Sequence, residues 1–249
     1  MRLLIILFNI LLLGEATRDD SGLRIANGHE TFERFLVELF IKVPNEHVTC
    51  SGSIINRHWV ITSGHCFDEG PLLFVKIDRV PGPPRILSVE RIVIHPKYHH
   101  NKNSRSLDYV RYDLALLKTK EAMDTDGFLG PIDLDISPPV PGAVGTVSGY
   151  GLPDLEAREG EIVLSYCNGL LCTHSVGDET RPEQGDSGGP LVVNGRLIGV
   201  DSTSVQLRIR DNFYITKTLY TEYFADIASN YKWIESVIHP WPYGMSRTA

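Results

Sequence analysis

The chain has 249 residues, of which 42% are hydrophobic; that is ample for a core and, in an antiparallel β enzyme, compatible with one domain. A formal net charge of −7 argues against nucleic acid as a partner.

Residues 1–16 read as a secretory signal peptide. Arg2 supplies the positive start, residues 3–13 the apolar run, and Gly14-Glu15-Ala16 the small residues at the positions a signal peptidase reads. The apolar run is too short to span a bilayer, and Asn9 interrupts it. The mature chain is therefore expected to be secreted, extracellular and free of membrane. In that compartment the four cysteines, Cys50, Cys66, Cys167 and Cys172, read as disulfides. Residues 17–24 are polar and carry Arg18, Asp19 and Asp20. They end in Leu23-Arg24, before Ile25-Ala26-Asn27-Gly28, as a processing site would.

Residues 35–41, 50–55 and 59–62 alternate and cluster as strands, with Asn56-Arg57-His58 turning between the last two. The third run leads into Ser63-Gly64-His65-Cys66. A histidine fixed between a strand and a cysteine suits a general base, although a lone histidine is more often structural. Residues 72–77 and 86–94 are strand-like and flank the turn Pro81-Gly82-Pro83-Pro84. His95, His99 and His100 invite a metal reading, but no close cysteine or carboxylate completes a ligand set, so a solvated loop is expected and no metal. Asp113 opens the apolar run Leu114-Ala115-Leu116-Leu117 and on its own reads as a turn residue. Cys167 and Cys172 flank a tight turn that a disulfide could close, and four cysteines allow three pairings. Residues 223–238 carry apolar side chains at helical spacing.

The stretch richest in chemistry is Gly185-Asp186-Ser187-Gly188-Gly189-Pro190. A serine between glycines fits a sharply bent backbone whose N–H groups can face a developing oxyanion while the hydroxyl attacks the adjacent carbon. In an α/β hydrolase the order would be serine, acid, histidine, satisfied by Asp211 or Asp226 and then His239. Such a fold needs a helix after Ser187. Instead two apolar runs, 190–193 and 196–200, are joined by Asn194-Gly195, a strong hairpin signal. An all-β protein follows, with the base and acid upstream.

Four stretches, Cys50-Ser51-Gly52-Ser53, Trp59-Val60-Ile61-Thr62-Ser63-Gly64-His65-Cys66, Asp113-Leu114-Ala115-Leu116-Leu117-Lys118 and Gly185-Asp186-Ser187-Gly188-Gly189-Pro190, resemble in order and spacing the trypsin/chymotrypsin-like serine proteases. The resemblance runs from Ile25 to the C-terminus. It implies an all-β fold of two packed antiparallel six-stranded barrels with a C-terminal α-helix, a signal peptide at 1–16, an activation propeptide at 17–24 and a peptidase domain at 25–249. It further implies a triad of His65, Asp113 and Ser187, an oxyanion hole from the Gly185 and Ser187 N–H groups, and the disulfide Cys50–Cys66; the tight turn between the other two cysteines then makes Cys167–Cys172 the expected second pair. Activation would follow cleavage after Arg24, the new amine of Ile25 pairing with Asp186, which should sit elsewhere beforehand. The substrate pocket would comprise Arg181 at its floor and Ser202, Thr203 and Ser204 on its wall. An arginine floor is not the trypsin pattern: turned inward, Arg181 could pair with an acidic side chain preceding the scissile bond, and turned outward, in a loop freed by the missing bridge, it would set no such preference. Residues 138–142 fit an inter-barrel linker, and 145–151 resemble the family's strand into Gly-Trp-Gly, with Tyr150 replacing the aromatic. The chain departs from the family pattern in a short stretch from Gly151 to Gly185 and in Glu183, which stands where a cysteine is usual. The expected partners are a protein or peptide substrate, an activating trypsin-like protease and a protein inhibitor, around a monomer without cofactor. The alternative is a non-catalytic homologue acting as a binding or regulatory module.

Overall fold

The computed structural model describes residues 25–240, apart from 44–45, 69, 78–82, 101–105, 124–126, 152–155, 178 and 212–213. The expected signal peptide, 1–16, and the expected propeptide ending in Arg24 lie outside the described residues. In chain order the strands are β1 (His29–Glu30), β2 (Leu36–Val43), β3 (Glu46–Asn56), β4 (Trp59–Thr62), β5 (Leu72–Ile77), β6 (Arg85–Leu87), β7 (Val89–Ile94), β8 (Ala115–Thr119), β9 (Asp133–Leu134), β10 (Val144–Gly149), β11 (Arg158–Cys167), β12 (Leu170–Val176), β13 (Pro190–Val193), β14 (Arg196–Asp211) and β15 (Tyr214–Asp226), followed by the helix α1 (Ile227–Ile238).

The first half of the chain forms one antiparallel sheet in the order β6-β5-β2-β3-β4-β8-β7. Its end strands, β6 and β7, are two parts of the same apolar run, broken at Ser88, so the sheet curls into a half-barrel. In the second half, β11-β10-β13-β14-β15-β12 run in order and β12 pairs back onto β11, which closes a six-stranded barrel. The expected pair of six-stranded barrels is thus one closed barrel and one half-barrel.

Period-2 alternation builds each core. The half-barrel core includes Leu39, Ile41, Ile54, Ile61 and Leu117, all fully buried, and α1 adds Ile227 and Ile234 to the same cluster. The closed barrel encloses Val147, Leu164, Leu191 and Phe224 together with Ile25, the first described residue. Burying each such aliphatic side chain contributes about 1.5–3 kcal/mol, so these faces fix the register.

Local chemistry sets the corners. Asn194 and Gly195 adopt φ of 51° and 72°, the positive values a type I′ hairpin needs, and join β13 to β14. The disulfides are Cys50–Cys66, as the resemblance implied, and Cys167–Cys172, which closes the tight turn between them. The helix begins at Ile227 rather than near Tyr223, because Asp226 caps it. Its carboxylate accepts from the Ala228 N–H at 2.9 Å, and Tyr223 and Phe224 end strand β15 instead. Strand β14 continues well beyond Val200, the end of the run read from sequence, to Asp211.

Candidate active site

The two halves meet along a seam of buried hydrogen bonds. The Ser51 N–H donates to the Ser187 carbonyl at 2.7 Å, the Ser51 hydroxyl donates to the Gly185 carbonyl at 3.1 Å, and the Tyr150 N–H donates to the Ser51 hydroxyl at 2.8 Å. One β3 side chain of the half-barrel thereby grips the Gly185–Ser187 turn of the closed barrel. A cleft opens at this seam, lined by His65, Ser187, Arg181, Thr203, Tyr220 and Glu222, among others.

His65 starts a 3₁₀ turn directly after β4, and the neighbouring Cys66 is bridged to β3, so both sides of the histidine are anchored. Asp113 ends the 3₁₀ turn Asp108–Tyr112 and is completely buried. Its Oδ1 accepts from the His65 backbone N–H at 2.8 Å, and its Oδ2 accepts from the His65 ring Nδ1 at 2.7 Å and from the Ser202 hydroxyl at 2.5 Å. Donation from Nδ1 leaves Nε2 as the ring's proton acceptor. Gly64 makes this approach feasible, since a Cβ there would lie 3.2 Å from the Tyr98 ring and 3.3 Å from Asp113 Oδ1. Burial pulls the His65 pKa down, but the charge and hydrogen bond of Asp113, with a smaller contribution from Asp68, outweigh it, and the net shift is upward.

Ser187 is half-buried in the same cleft. Among the described residues its hydroxyl makes no hydrogen bond, the His65 ring included, so the cleft joins His65 to Asp113 and places Ser187 beside them without closing the final contact. Bonds of this kind often tighten only when substrate is bound. The turn around Ser187 requires glycine. Gly185 has φ 100° and Gly188 φ 82°, and a Cβ on Gly188 would lie 2.1 Å from Thr62 Oγ1. Among the described residues the N–H groups of Gly185 and Ser187 donate to no protein acceptor.

Asp186 points inward. It is buried, and it accepts from the Gly151 N–H at 2.8 Å and the Glu183 N–H at 2.9 Å. Burial raises its pKa to about 7; those two N–H bonds oppose the rise and the charge of Glu183 adds to it. Two backbone donors thus hold the carboxylate inside. Ile25 is itself buried, and the Ala26 N–H donates to the Arg181 carbonyl at 2.8 Å, tying the start of the domain to the pocket floor.

Arg181 lies in the cleft, but its charge is engaged. Its guanidinium contacts Glu183 Oε1 at 2.5 Å, donates to the carbonyls of Gly177 at 2.6 Å and Glu179 at 3.2 Å, and stacks 3.9 Å from the Tyr220 ring centroid. Ser202, Thr203 and Ser204 line the same cleft. Sequence reasoning missed two acids here. Glu222, paired with Ser204 across β14 and β15, accepts from its hydroxyl at 2.9 Å, and burial raises the Glu222 pKa to about 7. Asp201 is buried behind Ser202, where burial first and then the charges of Glu222, Asp186 and Asp113 raise its pKa well above the ordinary carboxylate value. The readable signal was a lone glutamate in the Thr- and Tyr-rich stretch from Thr218 to Phe224.

The histidines that invited a metal reading are dispersed. His95 is buried between the Tyr112 and Trp233 rings, whereas His100 stacks on Tyr109 and lies 3.2 Å from Asp68 at the cleft rim.

A sequence profile for the family described as Trypsin matches residues 25–227. Trypsin-1 of Salmo salar is 28% identical over 216 residues, covering 78% of this chain and 85% of that protein. Serine protease 1 of Homo sapiens is 26% identical over 222 residues, covering 80% and 86% respectively. Among solved structures, neuropsin, a serine protease expressed in the limbic system of mouse brain, matches with a TM-score of 0.66 at 20% identity, covering 85% of this chain and 99% of that one, a likeness of fold. With the profile spanning most of the chain over the fold and cleft described above, the protein belongs to the trypsin family of serine proteases.

Proposed function

We propose that the chain is a secreted serine endopeptidase, made as a precursor and activated by cleavage after Arg24. The observation that carries this reading is the buried Asp113 carboxylate bonded to His65 at 2.7 Å beside Ser187. In the proposed reaction the Ser187 hydroxyl adds to the scissile carbonyl while His65 Nε2 takes its proton. The tetrahedral oxyanion is stabilised by the Gly185 and Ser187 N–H groups, and loss of one such donor typically costs about 3–4 kcal/mol. His65 then protonates the leaving amine as the C–N bond breaks. Water, deprotonated by His65, attacks the acyl ester and regenerates Ser187. Asp113 holds the ring tautomer and stabilises the imidazolium.

Activation on this reading supplies a missing cation. The causes that set the Asp186 pKa include no positive charge, and its rise to about 7 reflects a carboxylate that burial keeps partly protonated. An ammonium at Ile25, created by cleavage after Arg24, would pair with it and fix the Ser187 turn in its working shape. The activator is a protease that cleaves after arginine, and the partners are protein substrates and a protein inhibitor of a monomeric enzyme.

The acidic preference that an inward Arg181 would set gives way to another. Glu183 already neutralises Arg181, and Glu222 shares the same pocket, so an anionic substrate side chain would meet two carboxylates for one engaged guanidinium. The pocket suits a polar or cationic side chain able to donate to Glu222. Hydrolysis of a positional peptide library by the processed chain, with Ser187→Ala as control, tests the whole reading. Turnover that depends on Ser187 supports it. No turnover by the processed protein would favour the non-catalytic homologue, and strong cleavage after Asp or Glu would restore the acidic preference.

A further inference from the structure

Strands β14 and β15 do not stop at the cleft. They continue as a two-stranded ribbon to Asp211 and Tyr214, past the last residue of β12 that pairs with them, Val176 opposite Leu219. Among the described residues, the edge of β14 facing away from β15 pairs with no strand beyond Ser202. An edge that no strand covers can take an added extended segment.

The ribbon's two faces differ. Val205, Leu207 and Ile209 point to one side, 43%, 60% and 41% exposed. Alternation places Gln206 and Arg208 on the other side, the one that carries Ser204, Tyr220 and Glu222 into the cleft, and Arg210 follows them along β14 past a register shift at Ile209 and Arg210. Side-chain bonds hold the first two there: Gln206 Nε2 donates to the Tyr220 hydroxyl at 2.9 Å, and Arg208 Nε donates to Gln206 Oε1 at 3.1 Å. Neither Arg208 nor Arg210 is paired with a carboxylate among the described residues, although the chain as a whole carries a net charge of −7. A basic strip with an open strand edge therefore leads directly out of the active-site cleft.

We infer that this ribbon is an extended substrate-docking site for an acidic stretch of the polypeptide being cleaved, added along the β14 edge with its carboxylates on Arg208 and Arg210. The inference rests on the reading of the cleft as a peptide-binding site. Arg208 and Arg210 lie six and eight residues beyond Ser202, which is bonded to Asp113 at the catalytic end. At about 3.4 Å per residue that is roughly 20–27 Å, so the acidic residues fall about six to eight positions from the scissile bond.

The test measures binding to the full chain carrying Ser187→Ala, so it can be read whether or not the chain is a hydrolase. Fluorescently labelled peptides carry Asp and Glu six to eight residues to either side of a candidate cleavage site, and matched peptides carry Ser there instead. Two solvent-exposed ion pairs typically amount to a few-fold to about tenfold in affinity. Anisotropy should therefore show the acidic peptides of one polarity binding about threefold to tenfold tighter than their neutral counterparts. The advantage should vanish in Arg208→Glu/Arg210→Glu, with the thermal midpoint retained, and shrink as salt rises to ~0.5 M, where the screening length drops below about 5 Å. Equal affinity for acidic and neutral peptides of both polarities, or an advantage that survives the double substitution, would overturn the proposal.

Discussion

A chain that cannot be cut at Arg24 should reveal the missing partner of Asp186 through its pH-dependent stability. The carboxylate pKa is raised by burial from an ordinary 3.8 to about 7. A folded-state pKa above the unfolded value means that the folded form keeps a proton the unfolded form releases between about pH 4 and 7. The Asp186 contribution to stability therefore falls as pH rises across that window and levels off above it. At about 1.4 kcal/mol per pH unit, the gap of roughly 3 units sets a ceiling of about 4 kcal/mol. In the cut form the Ile25 ammonium, which titrates near ~8 when free and higher when paired, should hold Asp186 ionised and cancel most of this loss. The assay is urea unfolding followed by tryptophan fluorescence, comparing Arg24→Gln/Ser187→Ala uncut with Ser187→Ala cut, at intervals from pH 4 to 8. Glu222 and Asp201 titrate in both forms, and because the Asp186 charge raises both, the difference between the forms reports Asp186 together with its coupling to them. The stability advantage of the cut form should grow with pH by up to the ceiling. A difference independent of pH would refute the reasoning.

Other outcomes follow from the same geometry. Asp113→Asn keeps the volume but presents an N–H to His65 Nδ1, so kcat should fall by about 10⁴-fold at neutral pH while KM changes little. With the His65 pKa raised by Asp113 against burial, kcat/KM should drop as pH falls through a value above the ordinary histidine pKa, and a limb at or below it would contradict the assignment. Glu222→Gln should lower the ratio of cleavage after cationic to cleavage after neutral side chains by about tenfold or more, since a hydrogen bond to a charged group is typically worth about 1.5–3 kcal/mol. In the unsubstituted protein the same ratio should rise with pH through about 7 as Glu222 ionises, measured with paired chromogenic peptides.

The site was legible in the sequence where chemistry forces a local signature. The glycines around Ser187 admit the backbone of the facing half-barrel, the cysteine beside His65 anchors its turn, and Asn194-Gly195 can make only a tight hairpin, which steered the search for base and acid upstream. Non-local pairing was not legible. Glu222 enters the cleft because it stands opposite Ser204, and nothing local in the sequence fixes that register. The engagement of Arg181 depends on Glu183, Tyr220 and two carbonyls that converge only after folding, so its position could be read but not the state of its charge. The apolar spacing of residues 223–238 fits a helix throughout, yet Asp226 capping and the pairing of Tyr223 and Phe224 with β12 and β14 hold the first four residues in a strand.

The central claim, that Ser187 is a nucleophile activated by His65, is tested most directly by intact-protein mass measurement of the Arg24-processed chain after exposure to a fluorophosphonate. One adduct on Ser187, absent from Ser187→Ala and much slower to form in His65→Ala and in the uncut Arg24→Gln chain, is the predicted result. A processed, folded protein that acquires no adduct at Ser187 would contradict the account.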